Sequence, residues 1–325
     1  MKQKLVIITD CDHPSVDIER KSLEIQGFQL KVEQCKTEED VIQTCKDADG
    51  LINQYAPITR KVLSSLPNCK VISRYGVGVD NIDLQSASEY SVQICNVPDY
   101  GVEEVSDHAL SLIFNVIRKV NIFSNNAKEG VWDFQLARPV HRLRDLTLGV
   151  VGVGRIGSAV ARKAKGMGWN VIGYDHTNLS SSLDLKFVDF ESVLKESDII
   201  SIHVPLNDDT YHLFNAKAIN MMKDKAVIIN TARGPIIDEK ALIEALRNGK
   251  ISGAGLDVME KEPPEKDHPL FSFDNVIITP HAAWYSEESS IELKQKAADE
   301  VRRYLNGEEI HYPVNRVKKR GESLV

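Results

Sequence analysis

The stretch Leu148-Gly-Val-Val-Gly-Val-Gly-Arg-Ile-Gly157 decides the fold. An apolar run over 148–151 enters Gly152-x-Gly154-x-x-Gly157, and a helical pattern follows over 158–165. A second apolar run, 171–174, ends in Asp175. Strand, glycine turn, helix, strand and acid in that order are the fingerprint of a dinucleotide site. Gly152 permits the tight turn, Gly154 lets a pyrophosphate approach the backbone, and Gly157 lets the helix close on the sheet. The helix N-terminus offers N–H groups to the phosphates. Asp175, eighteen residues past Gly157, falls where a ribose-binding carboxylate belongs. A carboxylate there predicts NAD over NADP because it repels a 2′-phosphate, and His176-Thr-Asn178 supplies no Arg to reverse the preference.

This motif starts near residue 150, so something else fills the first hundred residues. A chain of 325 residues is long enough for about two domains, each with its own core. With 42% hydrophobic and 27% charged residues, the composition is that of a globular protein. No apolar run approaches the ~20 residues of a membrane span. The opening Met1-Lys-Gln-Lys-Leu-Val-Ile-Ile passes straight into a strand-like run, which does not read as a signal peptide. A net charge of −7 and a pI near 5.8 argue against a general nucleic-acid surface. The basic stretch Arg316-Val-Lys-Lys-Arg320 reads as a solvated end. Cys11, Cys35, Cys45, Cys69 and Cys95 form no CxxC pair and are odd in number. Neither a disulfide framework nor a zinc site is expected; buried thiols in a reducing cytoplasm are.

Strand-like runs at 5–8, 28–32, 50–52, 71–73 and 92–95 alternate with helical patterns at 15–26, 38–45 and 60–66. That alternation predicts a first doubly wound parallel sheet. Apolar residues then recur at helical spacing from Val102 to Val120, predicting one long helix leading out of the first domain. The loop Glu129-Gly-Val-Trp-Asp-Phe-Gln-Leu-Ala-Arg-Pro139 carries Trp132 and Phe134, which suit a subunit contact or a packed intrachain loop. Six further strand-like runs, at 148–151, 171–174, 199–203, 226–230, 253–258 and 276–279, complete a second sheet. An amphipathic helix over 286–305 then returns toward the first domain.

Ligands of open α/β sheets lie beyond the carboxyl ends of the strands, so ionisable residues just past the strand-like runs matter most. Arg233 follows 226–230, Asp257 ends 253–258, Glu262 lies in the Pro-rich loop after it, and His281 follows 276–279. This set suits hydride transfer to a 2-oxo acid, whose carbonyl oxygen gains negative charge and needs a proton and a positive partner. His281 can donate the proton, and Glu262 would stabilise its imidazolium. Arg233 keeps its charge, and its fork can hold the substrate carboxylate or polarise the oxo group.

Gly76-Val-Gly-Val-Asp-Asn-Ile-Asp83, Gly152-Val-Gly-Arg-Ile-Gly157, Asn230-Thr-Ala-Arg-Gly234, Asp257-Val-Met-Glu-Lys-Glu262 and Pro280-His281 span nearly the whole chain. In that order they resemble the D-isomer-specific 2-hydroxyacid dehydrogenase family. The resemblance implies an α/β chain of two doubly wound parallel-sheet domains with a cleft between them. Residues 1–100 with 287–325 would form a flavodoxin-like substrate domain, and 101–286 a Rossmann NAD-binding domain. It makes Arg233, Glu262 and His281 the catalytic set. Asp257 would contact the nicotinamide amide. Arg155, Ile156, Val204, Pro205, Thr210, Thr231, Ala232 and Ala283 would line the NAD beside the three motif glycines, Asp175, Arg233 and His281. The turn at Gly76-Val77-Gly78 would offer backbone N–H groups to a substrate carboxylate, with Arg74 as ion partner or as an interdomain salt bridge.

His281-Ala-Ala-Trp-Tyr-Ser-Glu287, with Arg74, Val131-Trp-Asp-Phe134 and His141-Arg-Leu-Arg144, resembles the C-terminal-binding-protein branch of that family. Trp284 would then lie near the substrate side chain and favour apolar or sulfur-containing 2-oxo acids. Glu262 stands where related formate dehydrogenases have Gln, which disfavours formate. The resemblance implies a homodimer acting on a small 2-oxo or 2-hydroxy acid, with neither nucleic acid nor membrane as partner. Phosphoglycerate dehydrogenase is an alternative, although Arg74 is the one visible phosphate-binding candidate and the chain leaves no room for an appended regulatory domain. An NAD-sensing, corepressor-like interaction protein is a second alternative, weakened by the lack of a long disordered tail.

Overall fold

The computed structural model describes residues 3–176 and 184–317. The chain divides into two compact units, Met1–Tyr100 with Ser286–Val325, and Gly101–Tyr285. The Ser286 boundary lies one residue before the expected one.

In the first unit, strands β1 (Leu5–Ile8), β2 (Gln29–Val32), β3 (Gly50–Asn53), β4 (Val71–Arg74) and β5 (Gln93–Cys95) alternate with helices α1 (Asp17–Glu24), α2 (Glu38–Cys45), α3 (Arg60–Ser65) and α4 (Leu84–Glu89). The sheet order is β2-β1-β3-β4-β5, every pairing parallel. This is the flavodoxin-like order. β1 and β3 read as unbroken apolar runs because both faces are covered; Val6, Ile8, Leu51 and Ile52 are fully buried. The sequence pattern does not show α4, a polar segment started by Asp83, whose carboxylate caps Ser86 N–H at 2.8 Å.

The second unit begins with α5 (Val102–Arg118) and α6 (Val120–Lys128), not one helix through Val120. Lys119 adopts a left-handed φ of 52° that ends α5. The apolar spacing continues into Val120, so periodicity hides the break. Then follow β6 (Thr147–Val151), α7 (Arg155–Gly166), β7 (Asn170–Tyr174), β8 (Lys186–Phe187), α8 (Phe190–Glu196), β9 (Ile199–Ile202), α9 (Ala216–Met221), β10 (Ala226–Asn230), α10 (Glu239–Arg247), β11 (Ile251–Leu256) and β12 (Val276–Ile278). The order β12-β11-β10-β9-β6-β7-β8 is again all parallel, and the strand order switches sense between β6 and β9. Among the described residues the sheet has seven strands where six were expected: β8 is a two-residue edge strand with no apolar run. β11 ends at Leu256, which leaves Asp257 just beyond the strand.

The last helix, α11 (Glu287–Asn306), opens on a capping box between Ser286 and Ser289 and packs with α1 in the first unit. All five cysteines are buried and free. No described helix is long and apolar enough to cross a membrane. Thr177, Asn178 and Lys318 to Arg320 lie outside the described residues.

Candidate active site

The turn after β6 is braced on three sides. Gly152 has φ +91°, and a Cβ there would lie 2.7 Å from the backbone of His203 and Val204. Its N–H donates to Tyr174 O at 2.8 Å. Val153 N–H donates to Asp175 Oδ2 at 2.8 Å, so the acid at the end of β7 clasps the turn. A side chain on Gly157 would collide with the carbonyl of Gly152, which makes the turn itself, more than the sheet, the surface this glycine admits. Gly154 caps α7, and a Cβ there would meet nothing within 4 Å. α7 starts at Arg155, three residues before the expected helix. Arg155 is exposed and Ile156 half-buried.

The wall facing Gly152 carries His203. Its N–H donates to Val151 O at 2.7 Å, and its Nε2 lies 2.8 Å from Ser201 Oγ. Burial pulls its imidazole from the ordinary 6.5 down to about 4. A base with a depressed folded-state pKa stabilises the fold fully above the unfolded value. That contribution is lost as pH falls through the folded value. Relative to His203→Gln, the wild-type chain is therefore expected to lose up to roughly 3 kcal/mol between about pH 6.5 and 4, at ~1.4 kcal/mol per pKa unit. Urea unfolding of both proteins across that window measures the gap; a constant gap contradicts the assignment.

Past β9, Thr210 Oγ1 donates to Pro205 O at 2.6 Å and accepts Asn207 N–H at 2.8 Å. The Thr210 hydroxyl thus shapes the loop over 205–210, while Val204 packs on the apolar core. Past β10, the buried Asn230 accepts Ala232 N–H at 3.0 Å and donates to Arg233 O at 2.8 Å. This closes a turn that presents Thr231, Ala232 and Arg233. Thr231 Oγ1 is buried without a hydrogen-bond partner among the described residues. Arg233 Nη1 donates to Ala232 O at 2.8 Å. A side chain on Gly234 would overlap the carbonyl of Met259, so this turn and the loop after β11 touch backbone to backbone.

Asp257 organises the turn that carries His281. Its side chain is 1% exposed. Oδ1 accepts Thr279 Oγ1 at 2.6 Å and Ala282 N–H at 2.9 Å, while Oδ2 accepts Ala283 N–H at 2.9 Å. His108 Nε2 lies 2.9 Å from Thr279 Oγ1. The Ala283 N–H is thus committed to the turn, while Oδ2 of Asp257 accepts one bond and keeps a second acceptor position. Within it, His281 holds a left-handed φ of 53°, a conformation that non-glycine residues rarely adopt. Its N–H donates to Asp257 O at 2.8 Å.

His281 Nδ1 lies 2.7 Å from Glu262 Oε2, and Met259 N–H donates to Glu262 Oε1 at 3.0 Å. Partial desolvation pushes the carboxyl of the solvent-accessible Glu262 up. The hydrogen bond and charge of His281, the Met259 N–H and the Arg233 guanidinium outweigh it, leaving Glu262 below the usual carboxylate range. Glu262 is therefore ionised near neutral pH and accepts from Nδ1–H, so Nε2 of His281 is the ring nitrogen that Glu262 does not engage. Arg233, Glu262 and His281 thus form one electrostatic group within the second unit. Asn230 acts locally, on residues two and three further along, whereas Thr279 and His108 carry no spacing signal because their contacts cross the fold. His108 and Thr279 are 171 residues apart.

In the first unit, Arg74 ends β4 and its guanidinium lies over Gly76, where any side chain would collide with it. Gly76 N–H donates to Arg74 O at 2.9 Å and so is not part of an anion cradle; Val77 and Gly78 remain the candidates. Asn96 Nδ2 fixes Val77 O at 2.7 Å. Trp284, in the second unit, is half-buried and meets Tyr285 edge-on at 5.6 Å.

The family model described as "D-isomer specific 2-hydroxyacid dehydrogenase, NAD binding domain" matches residues 110–283. A glyoxylate reductase of Korarchaeum cryptofilum is 37% identical over 275 residues, 82% of this chain and 83% of that relative. A D-3-phosphoglycerate dehydrogenase of Methanocaldococcus jannaschii is 38% identical over 95% of this chain, which spans 59% of that relative's length. Among solved structures, a D-lactate dehydrogenase of Aquifex aeolicus complexed with NAD and lactic acid superposes with a TM-score of 0.85 at 29% identity, covering 93% of this chain and 96% of that one. The glycine turn, the parallel sheet orders and these matches agree: the chain belongs to the D-isomer-specific 2-hydroxyacid dehydrogenase family and is an NAD-dependent oxidoreductase.

Proposed function

We propose that this chain reduces a 2-oxo acid to the D-2-hydroxy acid, with His281 as proton donor, Glu262 as its carboxylate partner and Arg233 as the substrate-holding cation. The 2.7 Å contact between His281 Nδ1 and Glu262 carries this reading, because it leaves Nε2 to deliver a proton. NAD fits the second unit on two observations: the open space beside Gly154 at the start of α7, and the orphaned hydroxyl of buried Thr231. Gly152, Gly154, Arg155, Ile156 and Gly157 would hold the pyrophosphate, Asp175 the ribose, and the 204–205, 210, 231–233 and 281–283 segments the nicotinamide half. When bound, NADH supplies the hydride. As negative charge grows on the substrate oxygen, the His281 imidazolium, stabilised by Glu262, gives up its Nε2 proton and becomes a neutral ring with Nδ1–H still on Glu262. Arg233 neutralises the carboxylate or polarises the oxo group, and its planar fork fixes the acid's orientation.

For the substrate itself we assign Arg74 and the N–H groups of Val77 and Gly78 to the carboxylate, and Trp284 to the side chain. Hydroxypyruvate, glyoxylate and branched or thioether 2-oxo acids are the candidates, the last group following from Trp284. Similarity to a phosphoglycerate dehydrogenase adds 3-phosphohydroxypyruvate. The test is NADH consumption across these acids, repeated with NADPH. Turnover of at least one acid is expected, with NADH preferred through Asp175. No turnover of any of them defeats the reaction, and equal rates with NADPH defeat the role of Asp175.

A homodimer is proposed on the arm after α6. Trp132 is 92% exposed, Phe134 and Leu136 are exposed beside it, and α6 buries no side chain. A packed intrachain loop is therefore not what holds Trp132, and a surface this apolar calls for a partner. Sedimentation at the dimer mass supports the proposal; a monomer removes it.

A further inference from the structure

The loop that carries Glu262 has little packing to hold it. From Glu260 to Asp267 every residue except Pro264 is exposed. Yet Glu262 must meet His281 within hydrogen-bond reach, and an ångström of drift would break that contact. Besides the Met259 N–H on Glu262 itself, the ties that fix the loop come from the start of α10 and from His212. Glu260 N–H donates to Glu239 Oε1 at 2.7 Å, and Glu239 N–H donates back to Glu260 Oε1 at 3.1 Å. Two glutamates thus exchange hydrogen bonds across 21 residues of sequence. His212 Nε2 joins Glu260 Oε1 at 2.9 Å. His268, at the far end of the loop, places Nε2 3.2 Å from Glu239 Oε2. Leu270 N–H points at His268 Nδ1 (3.4 Å), which leaves Nε2 as the protonated nitrogen. One carboxylate, only 13% exposed, therefore ties both ends of the loop to the first residue of α10.

We propose that Glu239 is a positioning residue for the reaction: its exchange of hydrogen bonds with Glu260, backed by His212 and His268, sets the loop so that Glu262 meets His281. This inference rests on the assignment of Glu262 and His281 under Proposed function. Acidic residues in a first helical turn also stabilise the helix through its dipole, so stability alone does not separate the two roles. Kinetics does, because a residue acting through Glu262 has nothing left to do once Glu262 is disabled.

The experiment compares purified full-length wild type, Glu239→Ala, Glu239→Gln, Glu260→Ala, Glu262→Gln and the double variant Glu239→Ala/Glu262→Gln on the best-reduced 2-oxo acid. Glu239→Ala is expected to lower kcat about tenfold with the KM for NADH within about twofold. It is also expected to speed tryptic cleavage at Lys261 and Lys266 under native conditions. Glu239→Gln keeps an acceptor for Glu260 N–H and is expected to recover most of the rate. Glu260→Ala removes the bonds to Glu260 Oε1 from Glu239 N–H and His212 but keeps Glu260 N–H on Glu239 Oε1, leaves α10 intact and is expected to lose part of the rate that Glu239→Ala loses. On the Glu262→Gln background, Glu239→Ala is expected to cost less than about twofold more. If Glu262→Gln loses activity while Glu239→Ala and Glu260→Ala keep it, or if the two losses multiply, the positioning role is overturned. If Glu262→Gln itself keeps full activity, the catalytic assignment fails first and takes this one with it.

Discussion

Replacing His281 with Asn is expected to lower kcat for 2-oxo acid reduction by about a thousandfold while leaving NADH affinity within a few fold. Asn has a similar reach and can still donate to Glu262, so the loop after β11 keeps its partner. What it lacks is an ionisable proton for the nascent alkoxide. The effect should be specific to chemistry because Asp257, not the imidazole, holds the turn. Its oxygens accept Thr279 Oγ1, Ala282 N–H and Ala283 N–H, and none of these bonds involves the His281 ring. The left-handed φ of 53° at this position is also one that Asn tolerates better than most residues. Steady-state kinetics with NADH fluorescence titration separates the two quantities. A variant within tenfold of wild type would show that the proton comes from elsewhere.

Gly152→Ala is expected to weaken NADH binding at least about a hundredfold and to lower Tm by about 5–10 °C. Two costs coincide there. The φ of +91° is outside the range a side chain accepts comfortably, and the new Cβ would sit 2.7 Å from the backbone leaving β9. Because the obstacle is backbone on both sides, either the glycine turn or the 203–204 segment must move, and both line the proposed NAD site. Gly154→Ala is the matched control. Its Cβ meets nothing within 4 Å and its φ of −73° is ordinary, so the fold is expected to keep its Tm while NADH binding weakens. Equal Tm losses in the two variants would contradict this account of the turn, and unchanged NADH binding in both would remove the turn from the cofactor site.

Much of this was legible because strand ends and glycine turns are local features. β1, β3, β6 and β10 read as apolar runs since both faces are buried. Asking which ionisable residues follow a strand brings Arg233, Glu262 and His281 forward without any coordinates. Elements set by single residues were not legible. Lys119 divides α5 from α6 without interrupting the apolar spacing, and Asp83 starts α4 in a segment with no apolar face. β8 is too short and too polar to show. In the site, long-range polar ties were invisible: beyond the cofactor contact proposed for it from the sequence, Asp257 serves Thr279, Ala282 and Ala283. The Glu239–Glu260 exchange likewise lies between a helix start and a loop, and no pattern in either announces the other.

The most direct test of the central claim is a crystal structure of the full chain with NAD and an unreactive 2-oxo acid analogue. The account predicts His281 Nε2 within about 3.2 Å of the analogue's carbonyl-side oxygen, Nδ1 still on Glu262, and the Arg233 fork on the carboxylate or oxo group. An analogue bound beside the nicotinamide with His281 turned away and Arg233 out of reach would contradict it.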